Sequence, residues 1–166
     1  MILSLYDGVR EANPDILIIN PIANCVFPAG ASIFKEDEVW NGPLHQSILS
    51  YGLTRRFLIG TSECYKIQGG IRTINLYTPN MYGPFDSTDP DKAHALNALV
   101  SKFVKAGKNN KDELEVWGSG NVIREWLYVK DFSRIVSMII NSKDHYNLCN
   151  PLSVARNWGL SIKELV

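Results

Sequence analysis

Two short apolar segments, joined by a stretch with helical periodicity, constrain the fold of this chain more than any other feature. Residues 15–20 (DILIIN) form a continuous apolar run bounded by turn residues, which is typical of a strand buried on both faces. Residues 71–77 predict a second strand. Between them, residues 47–68 place apolar side chains at helical spacing, and Gly69-Gly70 supplies a stop. A strand-helix-strand order predicts a right-handed crossover between parallel strands.

The remaining segments extend the same pattern. Helical spacing predicts helices over residues 2–12, 94–106 and 131–140. Residues 114–117 (LEVW) predict a short strand, and residues 123–129 (IREWLYV) predict a further extended segment. The sequence therefore predicts an α/β fold in which helices pack on a parallel sheet.

The loop after the first predicted strand is a candidate site. Residues 21–46 are rich in proline, glycine and asparagine. In open α/β sheets, ligands bind at the carboxyl ends of the strands, which is where this loop begins.

The last residues of the chain carry a helix start signal. Residues 161–164 form a capping box, in which a serine and a glutamate satisfy free backbone donors at the beginning of a helix. The chain stops two residues later. We therefore expect it to be a piece of a longer protein.

Composition limits the class of protein. A length of 166 residues is sufficient for one domain with a buried core. The 17 Lys and Arg residues balance 17 Asp and Glu residues, whereas a nucleic-acid or anionic-membrane partner requires a basic excess. No apolar run is long enough to span a bilayer, and residues 1–15 lack a signal-peptide pattern, so we expect a cytoplasmic protein. The wide spacing of Cys25, Cys64 and Cys149 predicts neither a disulfide scaffold nor a structural metal site.

Tyr51 and Arg55 lie four positions apart on a predicted helix and so share one of its faces. A cation beside a phenol favours the phenolate, which a tyrosine that acts as general acid and base near neutral pH requires. The same spacing is common where a tyrosine only packs and an arginine is a surface charge. The pair by itself leaves catalysis and packing open.

Four further residues carry groups suited to catalysis or ligand binding. Cys25 lies at the start of the candidate loop, although a buried cysteine often serves only as a small apolar residue. His94 begins a predicted helix, where packing is the alternative role. Trp117 and Arg124 flank a Gly-Ser-Gly turn, and they could stack on a base and bind a phosphate, or belong to a β-turn with an ion pair.

The order of these motifs resembles the GDP-L-fucose synthase branch of the extended short-chain dehydrogenase/reductases, which are NAD-dependent epimerases and dehydratases. The motifs are, in order, Cys25-x-Phe-Pro, Asn41-Gly-Pro, Tyr51-x-x-x-Arg55, Pro79-Asn-Met-Tyr-Gly-Pro84, His94, and Trp117-Gly-Ser-Gly followed by Arg124-Glu125. The resemblance runs from about residue 13 to the carboxyl terminus.

The resemblance implies a partial Rossmann-like, doubly wound parallel sheet together with part of a small C-terminal substrate-binding lobe. Residues 1–100 would be the second half of a Rossmann-like NAD(P)-binding domain. Residues 101–166 would be a partial substrate lobe interleaved with the last Rossmann elements. It also implies pairing into a homodimer through the helix that carries the tyrosine.

Enzymes of this branch use NADPH to convert GDP-4-keto-6-deoxy-D-mannose to GDP-L-fucose, by epimerising C3 and C5 and then reducing C4. By resemblance, Tyr51 would protonate the C4 carbonyl oxygen beside the cation of Arg55. Cys25 and His94 would be the base and the acid of the epimerisation. The residues implied at the GDP moiety are Lys102, Trp117 and Arg124. Those implied at the NADP(H) site are Ala23, Asn24, Arg55, Thr78, Pro79, Asn80, Met81 and His94.

The sequence departs from the family pattern at four points. The glycine-rich G-x-x-G-x-x-G loop does not occur in this sequence, so we expect the chain alone to bind NADP(H) weakly or not at all. Ala23 stands where the family has a catalytic serine, and Arg55 stands where it has a lysine. Lys102 stands where the branch usually has an arginine.

Two alternatives to an epimerase/reductase therefore stay open. The first is a catalytically impaired homologue that binds a nucleotide sugar or a partner subunit, which Ala23 and Arg55 motivate. The second is another member of the extended family, a nucleotide-sugar 4-epimerase or 4,6-dehydratase, against which Cys25 and His94 argue.

Overall fold

The computed structural model describes residues 1–89, 92–144, 148 and 150–166, so that Pro90 and Cys149 lie outside the described residues. The helices are α1 (Ile2–Ala12), α2 (Leu49–Gly69), α3 (Ala95–Lys108), α4 (Val129–Asn141) and α5 (Ile162–Leu165). The strands are β1 (Ile18–Ala23), β2 (Thr73–Thr78), β3 (Asn80–Tyr82), β4 (Ile123–Arg124), β5 (Trp126–Tyr128), β6 (Leu152–Ser153) and β7 (Leu160–Ser161). Short 3-10 helices cover Asn24–Val26, Glu36–Glu38 and Gln46–Ile48.

The described chain divides into two compact units. The first unit contains Met1–Pro79 and Ile139–Val154. The second unit contains Asn80–Met138 and Ala155–Val166. The assignment of residues 1–100 and 101–166 to a cofactor domain and a substrate lobe stays a prediction.

The first unit contains a parallel sheet with the strand order β1-β2-β6. Strands β1 and β2 pair from Ile18 opposite Thr73 to Ala23 opposite Thr78. Every residue of β2 is buried. A central parallel strand needs apolar or hydrogen-bonded side chains on both faces, and the buried polar residues Thr73, Asn75 and Thr78 of β2 are hydrogen-bonded. The predicted parallel α/β fold is confirmed.

Helices α1 and α2 share one apolar core with β1. Tyr6 of α1 is fully buried, and its ring centroid lies 5.0 Å from that of Tyr65 of α2. Leu58 and Ile59 of α2 belong to the same buried cluster as Ile22 of β1. Burying an aliphatic side chain of this size contributes about 1.5–3 kcal/mol, so this cluster stabilises the packing of α1 and α2 on the sheet.

A chain of buried polar side chains crosses the same core. Asn20 Nδ2 donates to Tyr6 Oη at 3.0 Å and to Asn75 Oδ1 at 3.1 Å. Tyr6 Oη also shares a 3.1 Å hydrogen bond with Thr73 Oγ1. Asn75 Nδ2 donates to Ser62 Oγ at 2.9 Å. Because unpaired polar groups are costly in a core, these bonds fix how α1 and α2 sit on the sheet.

The second unit holds two small sheets. Strands β3 and β5 pair in parallel, and β4 and β7 pair antiparallel. The predicted capping box starts α5: Ser161 Oγ accepts from the Glu164 backbone N–H at 3.2 Å, and Glu164 Oε2 accepts from the Ser161 N–H at 2.8 Å.

Several predicted element bounds are wrong. The first strand is not confined to residues 15–20 but runs over Ile18–Ala23, through Pro21. Proline is tolerated there because β1 is the edge strand of the described sheet, where a missing N–H breaks no ladder. Residues 114–117 form no strand, since no neighbouring strand pairs with them within the described residues. The segment 123–129 is divided into the two short strands β4 and β5.

Candidate active site

Cys25 lies at the carboxyl end of β1, in the 3-10 helix Asn24–Val26. The next two side chains anchor this turn in the apolar core: Val26 is fully buried, and Phe27 is buried as well. Cys25 itself is half-buried, and its Sγ lies 3.7 Å from the carbonyl oxygen of Ala23. The buried anchors therefore hold the thiol at the sheet edge where parallel α/β proteins bind ligands.

Helix α2 approaches this turn through a glycine. A Cβ placed on Gly52 would lie 2.8 Å from the carbonyl oxygen of Cys25 and 2.8 Å from Leu44 Cδ1. Real Cβ atoms essentially never lie this close, so only glycine permits the approach. Because Tyr51 directly precedes Gly52, the close approach brings the start of α2 beside the Cys25 turn.

Tyr51 and Arg55 share a face of α2, as their spacing predicts. Arg55 Nη2 donates to Tyr51 Oη at 3.4 Å, and Arg55 Cζ lies 5.0 Å from the centroid of the tyrosine ring. Tyr51 is exposed, so its hydroxyl is accessible to a ligand. Arg55 Nε is buried and has no hydrogen-bond partner within the described residues. The guanidinium can therefore support negative charge on the phenol oxygen and still has a donor for a ligand oxygen.

The electrostatics of Cys25 are set by burial and by Arg55. Burial raises the pKa of the Cys25 thiol above its ordinary value, and the positive charge of Arg55 partly opposes that shift. The thiol is therefore protonated at neutral pH, and Arg55 is the group that favours its thiolate.

The neighbouring end of β2 completes the candidate site in the first unit. Ala23 and Thr78 are register partners at the carboxyl ends of β1 and β2, and Thr78 Oγ1 donates to the Ile22 carbonyl at 3.3 Å. Pro79 follows directly. The methyl group of Ala23 offers no hydrogen bond, while the half-buried amide of Asn24 stands next to it.

The second unit contains three of the predicted site residues, two of them in strand β3 and one at the start of helix α3. Asn80 and Met81 belong to β3, and Asn80 Nδ2 donates to the Glu125 carbonyl at 3.3 Å. His94 is the N-cap residue of α3 and is exposed, with its Nδ1 3.5 Å from Asp86 Oδ1. Asp86 is thus placed to hold the imidazole in one orientation.

The predicted nucleotide-binding residues are partly brought together. Lys102 Nζ lies 4.5 Å from the ring centroid of Trp117, in a cation-π contact, and the indole is exposed. Arg124 is exposed on β4, opposite Leu160 of β7. An exposed indole with a cation over it is suited to stacking on a base and to neutralising a phosphate.

One residue of the site region was missed by the sequence interpretation. Arg56 Nε donates to the Val26 carbonyl at 2.9 Å, and its Nη1 and Nη2 both donate to the Gly42 carbonyl at 3.0 Å. No local signal distinguishes Arg56 from the adjacent Arg55, since its carbonyl partners belong to residues that are distant in the sequence.

Within residues 1–89, 92–144, 148 and 150–166, no group of His, Cys, Asp and Glu side chains could hold a metal ion. Over the same residues, no helix is both long enough and apolar enough to cross a membrane.

The fold and the site define a class. Cys25 follows β1, Thr78 ends the parallel neighbour β2, and the helix between the two strands carries the Tyr-Arg pair, which is a Rossmann-like α/β arrangement. Residues 1–149 match the NAD dependent epimerase/dehydratase family. The chain belongs to that family, and the resemblance noted in its sequence is confirmed.

Similar proteins agree with this assignment. The chain is 32% identical over 144 residues to a probable GDP-L-fucose synthase 1 of Oryza sativa subsp. japonica, a match that covers 86% of this chain and 43% of that protein. The fold is similar to that of a GDP-D-glycero-L-gluco-heptose synthase from Campylobacter jejuni, determined with NADPH, at a TM-score of 0.82, 21% identity, and coverage of 99% and 58%. A GDP-L-fucose synthetase from Naegleria fowleri gives a TM-score of 0.78 at 23% identity, with coverage of 99% and 52%. The chain thus spans less than half the length of the curated relative.

Proposed function

We propose that this chain is part of a nucleotide-sugar epimerase/reductase that resembles GDP-L-fucose synthase and acts on a GDP-4-keto-6-deoxy sugar. The observation that carries the proposal is the close approach of Gly52 in α2 to the carbonyl oxygen of Cys25. Because Tyr51 directly precedes Gly52, this contact brings the helix segment that carries the tyrosine beside the Cys25 turn. The protons on the carbons next to a ketone are acidic. A base such as Cys25, close to an acid such as Tyr51 that protonates the ketone oxygen, therefore suits epimerisation at those carbons.

Each proposed catalytic role follows from the chemistry of the side chain that would perform it. Tyr51 Oη would donate a proton to the C4 carbonyl oxygen, and the adjacent guanidinium of Arg55 would stabilise the resulting phenolate. Cys25 would remove a proton next to the ketone; burial raises the pKa of its thiol, and the charge of Arg55 partly opposes that shift in favour of the thiolate. His94, beside Asp86, would return a proton as the acid.

The proposed cofactor is NADP(H), which would supply the hydride for reduction at C4. The unpartnered Nε of Arg55 and the exposed Tyr51 fit the nicotinamide-ribose end of such a molecule. The other residues proposed at this end are Ala23, Asn24, Thr78, Pro79, Asn80, Met81 and His94. A pyrophosphate would need the glycine-rich loop, which this sequence lacks, so binding by the chain alone should be weak.

The proposed GDP-binding residues are Lys102, Trp117 and Arg124. The exposed indole of Trp117 would stack on the base, and the two cations would neutralise pyrophosphate charge. Lysine at position 102 gives a point charge rather than the bidentate contact that arginine offers, so we expect weaker phosphate binding there.

We also propose that two copies of the protein pair through α1 and α2. These helices present an apolar groove of about 660 Å³, whose lining includes Leu3, Leu53 and Phe57. All three side chains are exposed. Sedimentation should show a dimer, which Phe57→Glu should dissociate because the substitution places a charge in the apolar face.

The test of the activity is NADPH oxidation with GDP-4-keto-6-deoxy-D-mannose, followed by its absorbance, in the full-length protein. Turnover that is lost in Tyr51→Phe supports the proposal. Ala23 and Arg55 favour the second candidate, a homologue that binds the nucleotide sugar without turnover. That candidate is supported if turnover appears only in the Ala23→Ser, Arg55→Lys variant, and wild-type turnover contradicts it.

A second measurement separates the epimerase/reductase from a 4-epimerase or 4,6-dehydratase of the same family. Deuterium exchange from solvent at C3 and C5 of the substrate should be lost in Cys25→Ala. Exchange that is unchanged in this variant would favour the 4-epimerase or the dehydratase.

A further inference from the structure

Arg56 connects helix α2 to the long loop between β1 and α2 by three hydrogen bonds. Its Nε–H donates to the Val26 carbonyl at 2.9 Å, and two further N–H groups donate to the Gly42 carbonyl at 3.0 Å. The guanidinium carbon also lies 5.6 Å from the ring centroid of Trp40. One side chain therefore holds the beginning and the end of the loop at the same time.

The contact belongs to a continuous seam between α2 and the loop. Gly52 and Arg56 lie four residues apart, and so on one face of the helix. Gly52 meets the Cys25 carbonyl and Leu44, while Arg56 meets the carbonyl of the residue after Cys25. The seam therefore contacts two successive carbonyl groups, those of Cys25 and Val26, directly after the Cys25 side chain.

The chemistry of the seam requires arginine. A planar guanidinium can donate to two carbonyls that lie in different directions, whereas the ammonium of lysine is a compact charge that cannot span them. Arg55, the neighbouring cation, faces Tyr51 and acts on the Cys25 thiol through its charge. The two adjacent arginines thus act on the same cysteine by different means.

We propose that Arg56 is a positioning residue, which holds the Cys25 turn against α2 and so sets the location of the thiol relative to Tyr51. The proposal rests on the proposed function only in treating Cys25 as catalytic. The seam itself is a property of the described residues of the first unit.

The test is the rate of Cys25 alkylation by iodoacetamide as a function of pH. It uses the chain carrying Cys64→Ser and Cys149→Ser, so that only one thiol reacts. In Arg56→Gln we expect the turn to loosen and the thiol to become better solvated. Alkylation at neutral pH should then rise by about tenfold, and the midpoint of its pH profile should fall, since burial is what raises the thiol pKa.

The conservative variant separates geometry from charge. Arg56→Lys keeps the positive charge but cannot bond both carbonyls, so its alkylation rate should be close to that of Arg56→Gln. A rate equal to the parent would overturn the proposal, because charge alone would then suffice. Arg134→Gln is the matched control, since Arg134 is exposed on α4 and forms an ion pair with Asp131, three residues away on the same helix.

A merely structural role gives a different result. If Arg56 contributes only to folding, Arg56→Gln lowers the midpoint of thermal unfolding but leaves the rate and pH profile of alkylation unchanged in the folded state, and the proposal fails. Because alkylation needs neither substrate nor cofactor, its outcome is independent of the enzymatic assay. An inactive wild-type protein would contradict the proposed function while leaving the seam result intact.

Discussion

The backbone of Gly52 in α2 lies against the carbonyl oxygen of Cys25, so closely that a Cβ at position 52 would be 2.8 Å from that oxygen. This contact joins the helix that carries Tyr51 and Arg55 to the turn that follows β1. Together with the hydrogen bond from Arg56 to the Val26 carbonyl, it connects Cys25 and Tyr51, which are far apart in the sequence. The candidate site therefore depends on a residue that has no side chain.

Gly52→Ala should destabilise the protein, whereas Gly60→Ala on the same helix should stabilise it. Overpacking costs about 1–3 kcal/mol, which exceeds the roughly 1 kcal/mol that alanine gains over glycine in a helix. No atom lies within 4 Å of a Cβ at Gly60, so only the gain applies there. Urea denaturation followed by circular dichroism measures both variants. Equal stability of the two would contradict the close approach.

Removing the charge of Arg55 should make Cys25 less reactive. In Arg55→Gln the pKa of Cys25 should rise further above its ordinary value, because the opposing positive charge is lost while burial remains. The pH profile of iodoacetamide alkylation, in the background with Cys64→Ser and Cys149→Ser, should move to higher pH. A move to lower pH, or none, would show that Arg55 does not act on the thiol. Arg55→Lys is the control that retains the charge.

The buried amides Asn20 and Asn75 should be energetically coupled. Asn75→Ala leaves the Asn20 amide and Ser62 without a shared partner, which should cost about 1–3 kcal/mol. The double variant with Asn20→Ala should cost less than the sum of the two single variants, by about 0.5 kcal/mol or more. The measurement is a double-mutant cycle of unfolding free energies. Strict additivity would indicate that the two amides do not interact. The control is Asn121→Ala at an exposed position, which should change the free energy of unfolding by less than about 0.5 kcal/mol.

Glu36 should stabilise the protein at neutral pH and lose that effect in acid. Its Oε1 accepts a hydrogen bond from the Ser153 N–H at 3.1 Å, and hydrogen bonding from Ser153 holds the pKa of Glu36 below its ordinary value. A carboxyl whose pKa is lower in the folded state stabilises that state above the pKa of the unfolded chain, and the stabilisation disappears as the pH falls through the folded value.

Glu36→Gln should therefore lower the free energy of unfolding near pH 7 by about 1 kcal/mol, and the difference from wild type should vanish in acid. Stability curves measured at a series of pH values test this. Asp37→Asn, at an exposed neighbouring position in the same 3-10 helix, is the control and should have little effect. A difference between Glu36→Gln and wild type that persists at low pH would contradict the expected linkage.

The Tyr51-Arg55 pair was predictable because it depends only on local geometry. Residues four apart on a helix share a face in any helix, and the apolar period of residues 47–68 was sufficient to predict one. The parallel order of β1 and β2 was predictable for a similar reason, since two buried strands joined by a helix pair in parallel. The capping box of α5 is also local, and the structure contains both of its hydrogen bonds.

The contacts of Arg56 were not predictable in this way. Its carbonyl partners belong to Val26 and Gly42, and nothing in the helix pattern distinguishes Arg56 from Arg55. The end of β1 was missed for the same reason: Pro21 predicts a break, and only the position of β1 at the edge of the described sheet makes it acceptable. The burial of Asn75 was not predictable either, because an asparagine is usually exposed. Asn75 is fully buried here because hydrogen-bond partners such as Asn20 lie beside it in the core.

The sequence by itself thus determined the α/β class, the Tyr-Arg pair and the family to which the chain belongs, since these depend on periodicity and on motifs within a few residues. Only the tertiary structure decided that α2 meets the Cys25 turn through Gly52, that Arg56 holds the loop, and that a line of buried amides crosses the core. Such contacts join segments distant in the chain, and whether they form depends on the packing of the whole unit rather than on any local preference.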